Sequence, residues 1–163
     1  MSETSRSRLS RSAAKHTPHR SEDRFFAART DARHACEELR AVIRRSGIHD
    51  TMKQELLTAV TRAEAMLSAL SPTAHHPGAN AKEIAKQIGH LRVAETWVAA
   101  ADRVIGRLHG GGPLALRQQV EERQDAVMWC VRAEKWDGHL TAAVMQLEAV
   151  VKEAEVHASR KAG

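Results

Sequence analysis

Residues able to do chemistry occur at a few places in this chain, and their spacing decides what each can do. His109-Gly110-Gly111-Gly112 is a glycine turn whose main-chain N–H groups can hold an oxyanion during acyl transfer. That chemistry also needs a serine on a strained strand-to-helix elbow, G-x-S-x-G, and the serines beyond the first apolar segment, Ser46, Ser68, Ser71 and Ser159, are not flanked that way. Helical bundles hold paired metals with Glu-x-x-His pairs, yet no Glu here has His three residues later. Asp31 and His34 come closest, and one such pair cannot build a two-metal site. His75-His76 fall in a Pro- and Gly-rich stretch, and Glu155 and His157 lie two apart, off a common helix face. Cys36 sits on an apolar stripe and Cys130 between Trp129 and Val131, which suits small core residues better than activated thiols. No catalytic, cofactor-binding or metal-ligating residue is therefore assigned. The expectation is a protein that is not an enzyme and carries no cofactor.

Basic residues offer a different chemistry. Arg6, Arg8, Arg11, Lys15 and Arg20 against Glu3 give residues 1–20 most of the +5 net charge. The segment has no apolar period and closes at Thr17-Pro18, the composition of a disordered, solvated tail. Such an arm can contact phosphates in a salt-dependent way, but without aromatics to stack on bases it carries little sequence preference. Farther on, Lys82 to Leu91, KEIAKQIGHL, resembles the first half of a helix-turn-helix of bacterial transcription regulators, with Glu83-Ile84-Ala85, Ile88 and the turn glycine Gly89. The resemblance implies a second helix from Arg92 lying in the major groove, with Arg92, Glu95 and Thr96 near the bases. His90 and Glu95 depart from the pattern where aliphatic residues belong, and Val98 fits it. The register itself favours an uninterrupted helix that tolerates Gly89.

The bulk properties bound the rest. With 163 residues, 42% of them apolar and 28% charged, the chain has the length and balance of one folded domain. Tyr is absent, only two Phe and three Trp occur, and Ala and Leu are plentiful, which favours helices over strands. Two cysteines without metal-ligand spacing imply no disulfide framework. No stretch is apolar enough for a secretory signal or a membrane span, so a soluble, cytoplasmic protein without membrane partners is expected. Ten His make its charge sensitive to pH between about 5 and 7.

Apolar steps of three and four lay out the elements. Helix one starts at Ser21, follows Phe25, Ala28, Ala32, Ala35, Cys36, Leu39, Val42 and Ile43, and stops at Ser46-Gly47. Thr51 with Gln54 reads as a capping box for helix two, about 51 to 70, and Asn80 with Glu83 repeats the signature for helix three, which ends at the glycine turn. Pro113 then opens a fourth helix. Trp129, Ala133, Trp136, Leu140, Ala143, Leu147, Val150 and Ala154 keep their register through Asp137-Gly138, so one long helix bent near 138 is favoured over two. The expected architecture is thus all-α: a four-helix bundle-like domain over 21–163, or five helices if broken at Gly138, behind a disordered basic tail over 1–20. Trp129, Trp136, Leu140, Leu147 and Val150 can form either an intrachain core or an interface. The leading functional expectation is a non-enzymatic helical interaction protein that docks an unknown protein partner or itself through the last helix. The alternative is a nucleic-acid accessory protein using the arm and the segment at 82–98.

Overall fold

A computed structural model describes residues 2–108 and 113–162, with side chains over 20–108 and 113–160. Five helices follow one another: α1 (Ser2–Arg45), α2 (Asp50–Ala69), α3 (Pro77–Leu108), α4 (Leu114–Arg132) and α5 (Gly138–Ala162). The all-α bundle expected from the apolar periods is the fold, and among the described residues no helix is long and apolar enough to cross a membrane. The arm cations Arg6, Arg8, Arg11 and Lys15 lie outside the residues whose side chains are described.

The bundle is organised around α3, which packs against all four other helices, whereas α1 touches only α2 and α3, and α5 only α3 and α4. The sequence explains this role. Ile84, Ile88, Leu91 and Val98 line one side of α3, while Ala94, Ala101, Val104 and Leu108 line another, and all are buried. So wide an apolar face has to be covered from more than one direction. The covering stripes are Ala32, Cys36, Leu39 and Ile43 of α1, Leu56, Ala59, Val60, Ala63 and Leu67 of α2, and Leu140, Val144, Leu147, Val151 and Ala154 of α5. Burying one Leu, Ile or Val side chain fully contributes about 1.5–3 kcal/mol, so these stripes hold the helices together. Polar bonds then fix the layout. Gln124 of α4 donates through Nε2 to the carbonyl of Val98 at 3.1 Å and to Oδ1 of Asp102 at 2.6 Å. Oδ2 of the same Asp102 accepts the His49 N–H at 2.8 Å. One carboxylate thereby ties the α1–α2 turn, α3 and α4 together.

The single long last helix is overturned. After Arg132 the chain closes a Schellman motif, in which Lys135 N–H bonds the Cys130 carbonyl at 3.0 Å and Glu134 N–H that of Val131 at 3.4 Å. Glu134 takes the left-handed position at φ 58°. Asp137 caps the new helix, its Oδ1 accepting the His139 N–H at 2.9 Å. Between the two, Trp136 turns inward, and its Nε1–H bonds the Val131 carbonyl at 3.0 Å. The steps from Trp129 through Ala133 to Trp136 and Leu140 keep a helical period across a turn by coincidence of length.

Three further boundaries differ. α1 starts at Ser2, ahead of the expected Ser21. α2 starts at Asp50 behind His49 with no side-chain cap bond, so the Thr51–Gln54 capping box does not form. α3 starts at Pro77, which is pre-set for a first helical turn, leaving Asn80 within that turn, its Nδ2 donating to the His75 carbonyl at 3.2 Å. Nor is there a helix-turn-helix at 82–98, because α3 runs through Gly89 without interruption. A Cβ at Gly89 would meet nothing within 4 Å, so no close approach requires a glycine there.

Candidate functional site

The tryptophans expected to act together are separated by the α4–α5 turn. Trp136 is 2% exposed and Leu140 and Leu147 are fully buried, all three inside the chain's own core, with Val150 partly buried beside them. Trp136, Leu140 and Leu147 are an intrachain seam, which leaves those three no surface for another molecule. Trp129 lies on the other side of α4, 50% exposed, and its ring is covered only by the Lys135 ammonium, 5.1 Å from the centroid.

The outer face of α5 continues this exposure. Met145 is 64% and Val156 53% exposed, and with Ala142 and Ala149, also exposed, they stand at steps of three, four and seven. That spacing draws a straight stripe along one side of a helix. The opposite side of α5 is the buried stripe from Leu140 to Ala154. Lys152 stands in the same outer stripe, paired with Glu148 at 2.7 Å, so the outer face of α5 is apolar at these four positions and interrupted by one charge. α4 runs antiparallel alongside, as the Arg123–Gln146 bond at 2.6 Å shows, and brings Trp129 and the exposed Leu114 to the same hairpin.

At the far end of that hairpin a cleft of about 570 Å³ is lined by Leu116, Gln119, Glu153, His157 and Arg160, among others. Nε2 of His157 is buried there without a hydrogen-bond partner. Glu153 sets a negative charge beside Arg160, so the walls carry no net preference for an anion.

The other groups with chemical potential are quenched by their surroundings. Cys36 and Cys130 are both buried free thiols, and burial pushes each above the ordinary cysteine range, opposite to what a nucleophile needs. His34 is exposed and faces Glu37 at 3.7 Å rather than Asp31. His75 and His76 meet edge to face on the surface, 3.9 Å between centroids. Among the described residues no three His, Cys, Asp or Glu side chains converge as metal ligands.

Arg20 is exposed. Arg92 is exposed as well but lies 3.7 Å from Glu38 of α1, so it braces two helices. Glu95, expected near bases, is buried instead, 5% exposed, with no hydrogen bond to any described residue. Its burial pushes the carboxyl above the usual range, against the pull of Arg92 and Arg103. Periodicity could have found it, since Glu95 falls in step with Ile88, Leu91 and Val98. No family model, no curated protein and no solved structure matches this chain.

Proposed function

We propose that this protein is a non-enzymatic helical interaction protein of the cytoplasm that pairs with a second copy of itself through the outer face of its α4–α5 hairpin. One observation carries the reading: opposite its buried stripe from Leu140 to Ala154, α5 exposes Ala142, Met145, Ala149 and Val156 along one line that Lys152 interrupts. Large apolar groups aligned on an exposed face mark an interaction surface, and an antiparallel copy of the same stripe covers them with two-fold symmetry. Ala142 and Ala149 on either side of Met145 let two such helices approach closely there, and Trp129 at the flank is the kind of large, amphipathic side chain that anchors interfaces. The functional residues of this reading are Trp129, Met145 and Val156. Of the five residues expected from the sequence, only Trp129 stays on the surface as a candidate.

Light scattering coupled to sizing, run from about 1 to 200 µM, tests it. The mass should rise towards twice 18.0 kDa, and Trp129→Ser with Met145→Ser should hold the chain at the monomer mass with its helical signal intact. A monomer at every concentration removes the reading.

A further inference from the structure

Away from the α4–α5 hairpin, the two ends that α1 and α3 present carry a different chemistry. The helices run parallel. Glu38 meets Arg92 at 3.7 Å, and eleven residues farther along the chain the His49 N–H reaches Asp102, ten residues farther along α3. Arg45 stands seven residues after Glu38, about two turns, and Arg103 eleven after Arg92, about three turns. Both return to the flank on which Glu38 and Arg92 face each other. Arg44 adjoins Arg45, and Arg107 follows Arg103 by about one turn. All four guanidinium groups belong to exposed residues, and none has a hydrogen bond or ion pair with a described residue. Asp102 accepts from His49 and Gln124 and Glu38 faces Arg92, while the buried Glu95 carboxyl feels the charge of Arg103 without an ion pair to it. Asp50, in the first turn of α2, is the exposed acid at this end.

We propose that this arginine-bearing end of α1 and α3 binds the phosphate backbone of duplex nucleic acid, a site separate from the hairpin face. Cations at helix C-termini offset the helix dipole, which accounts for Arg44, Arg45 and Arg107 in their last turns. Arg103 lies beyond that range, carries a like charge four residues from Arg107, and among the described residues has the buried Glu95 as a nearby negative group. All four are arginine rather than lysine, and the guanidinium fork matches a phosphate with two parallel hydrogen bonds. Neither α1 beyond Phe26 nor α3 beyond Trp97 contains an aromatic residue, so unpaired bases find nothing to stack on, and a duplex suits the surface better than a single strand. The large exposed apolar groups of the bundle lie mostly on α4 and α5, so this end offers little to a bilayer.

The test uses the full chain and a fluorescein-labelled duplex of about 20 base pairs in fluorescence anisotropy, titrated at 50 and 150 mM salt. The comparison set is wild type, Arg44→Gln/Arg45→Gln/Arg103→Gln/Arg107→Gln, the milder pair Arg103→Gln/Arg107→Gln, and the arm variant Arg6→Gln/Arg8→Gln/Arg11→Gln/Lys15→Gln. Every phosphate that a variant no longer neutralises lowers the slope of log affinity on log salt by about 0.9. The fourfold variant should lose at least tenfold in affinity at 50 mM and about three units of slope, the pair about half of that slope, and the arm variant should retain the end-dependent component. Circular dichroism confirms the fold, and if the fourfold variant does not fold, the pair decides. The proposal is overturned by wild type that does not bind, by an unchanged slope in the arginine variants, or by loss confined to the arm variant. Tighter binding to vesicles of 3:1 phosphatidylcholine and phosphatidylserine than to the duplex, removed by the same substitutions, also overturns it in favour of a membrane surface.

Discussion

Replacing Glu95 with methionine should make the protein more stable at neutral pH, and the gain should vanish in acid. The residue is 5% exposed and in step with Leu91 and Val98, and its carboxylate is bonded to no described residue. Its burial raises its affinity for a proton above that of the unfolded chain, against the pull of Arg92 and Arg103. A carboxyl with a raised folded-state pKa binds its proton more tightly in the native protein. Its contribution is therefore most favourable below the ordinary glutamate range, is lost as pH rises through the raised value, and stays unfavourable above it. Methionine has about the same length and needs neither a proton nor a partner. Exchanging a largely buried carboxyl that keeps some contact with solvent for an apolar group of similar shape recovers about 1 kcal/mol, the low end for a buried unpaired polar group, or roughly 2–4 °C in melting temperature in a chain of this size. Urea melts of both proteins, followed by circular dichroism from pH 4 to pH 8, give the difference directly, and every other titrating group cancels in it. A variant less stable at pH 7, or a difference that does not shrink below pH 5, would show that Arg92 and Arg103 compensate the charge and refute the argument.

Other substitutions probe the fold. Gly89→Ala, in a helix interior with nothing within 4 Å of the new methyl group, should stabilise by about 1 kcal/mol in the same melts; destabilisation would point to a turn at 89. Glu134→Gly should relieve the left-handed backbone at φ 58° and raise stability by about 0.5–1 kcal/mol, less whatever its surface ion pair with Arg62 at 3.3 Å contributes. Trp136→Ala should cost about 3–5 kcal/mol, since it empties a core site, while Trp129→Ala should change stability by no more than about 0.5 kcal/mol. Iodide should correspondingly quench the Trp129 emission in preference to that of Trp136.

The helices and most of their inward stripes were legible because steps of three and four between apolar residues are a direct image of burial. Ala32, Cys36, Leu39 and Ile43, or Leu56, Ala59, Val60, Ala63 and Leu67, can be read off without coordinates. The break in the last helix was not, and its chemistry shows why. Left-handed C-terminal positions usually advertise themselves with glycine, but here Glu134 occupies the position, and the conspicuous Gly138 is merely the first residue of α5. The cap, Asp137, stands before that glycine rather than after it. Glu95 was legible in part: its step from Leu91 and Val98 places it on the buried stripe, while its charge argues for the surface, and the packing of the helices decides for the stripe. The arginine end was illegible because Arg45 and Arg103 are far apart in sequence, and only the parallel course of α1 and α3 brings their flanks together.

Where function can reside is constrained by the same packing. α3 packs against four neighbours, and what it leaves to solvent includes Val93 and Thr96 in its middle and Arg103 and Arg107 near its C-terminal end. The exposed surfaces divide by chemistry. α5 exposes Ala142, Met145, Ala149 and Val156 opposite its buried stripe, and the C-terminal ends of α1 and α3 expose guanidinium groups. Because α1 touches neither α4 nor α5, pairing through the hairpin leaves the arginine end uncovered in each copy. A two-fold dimer would then carry two such ends on one particle. A duplex long enough to reach both would bind with the gain that a second tethered site gives, and a shorter one would not. Dependence of affinity on duplex length, absent from the Trp129→Ser/Met145→Ser monomer, would thus tie the two surfaces into one mechanism.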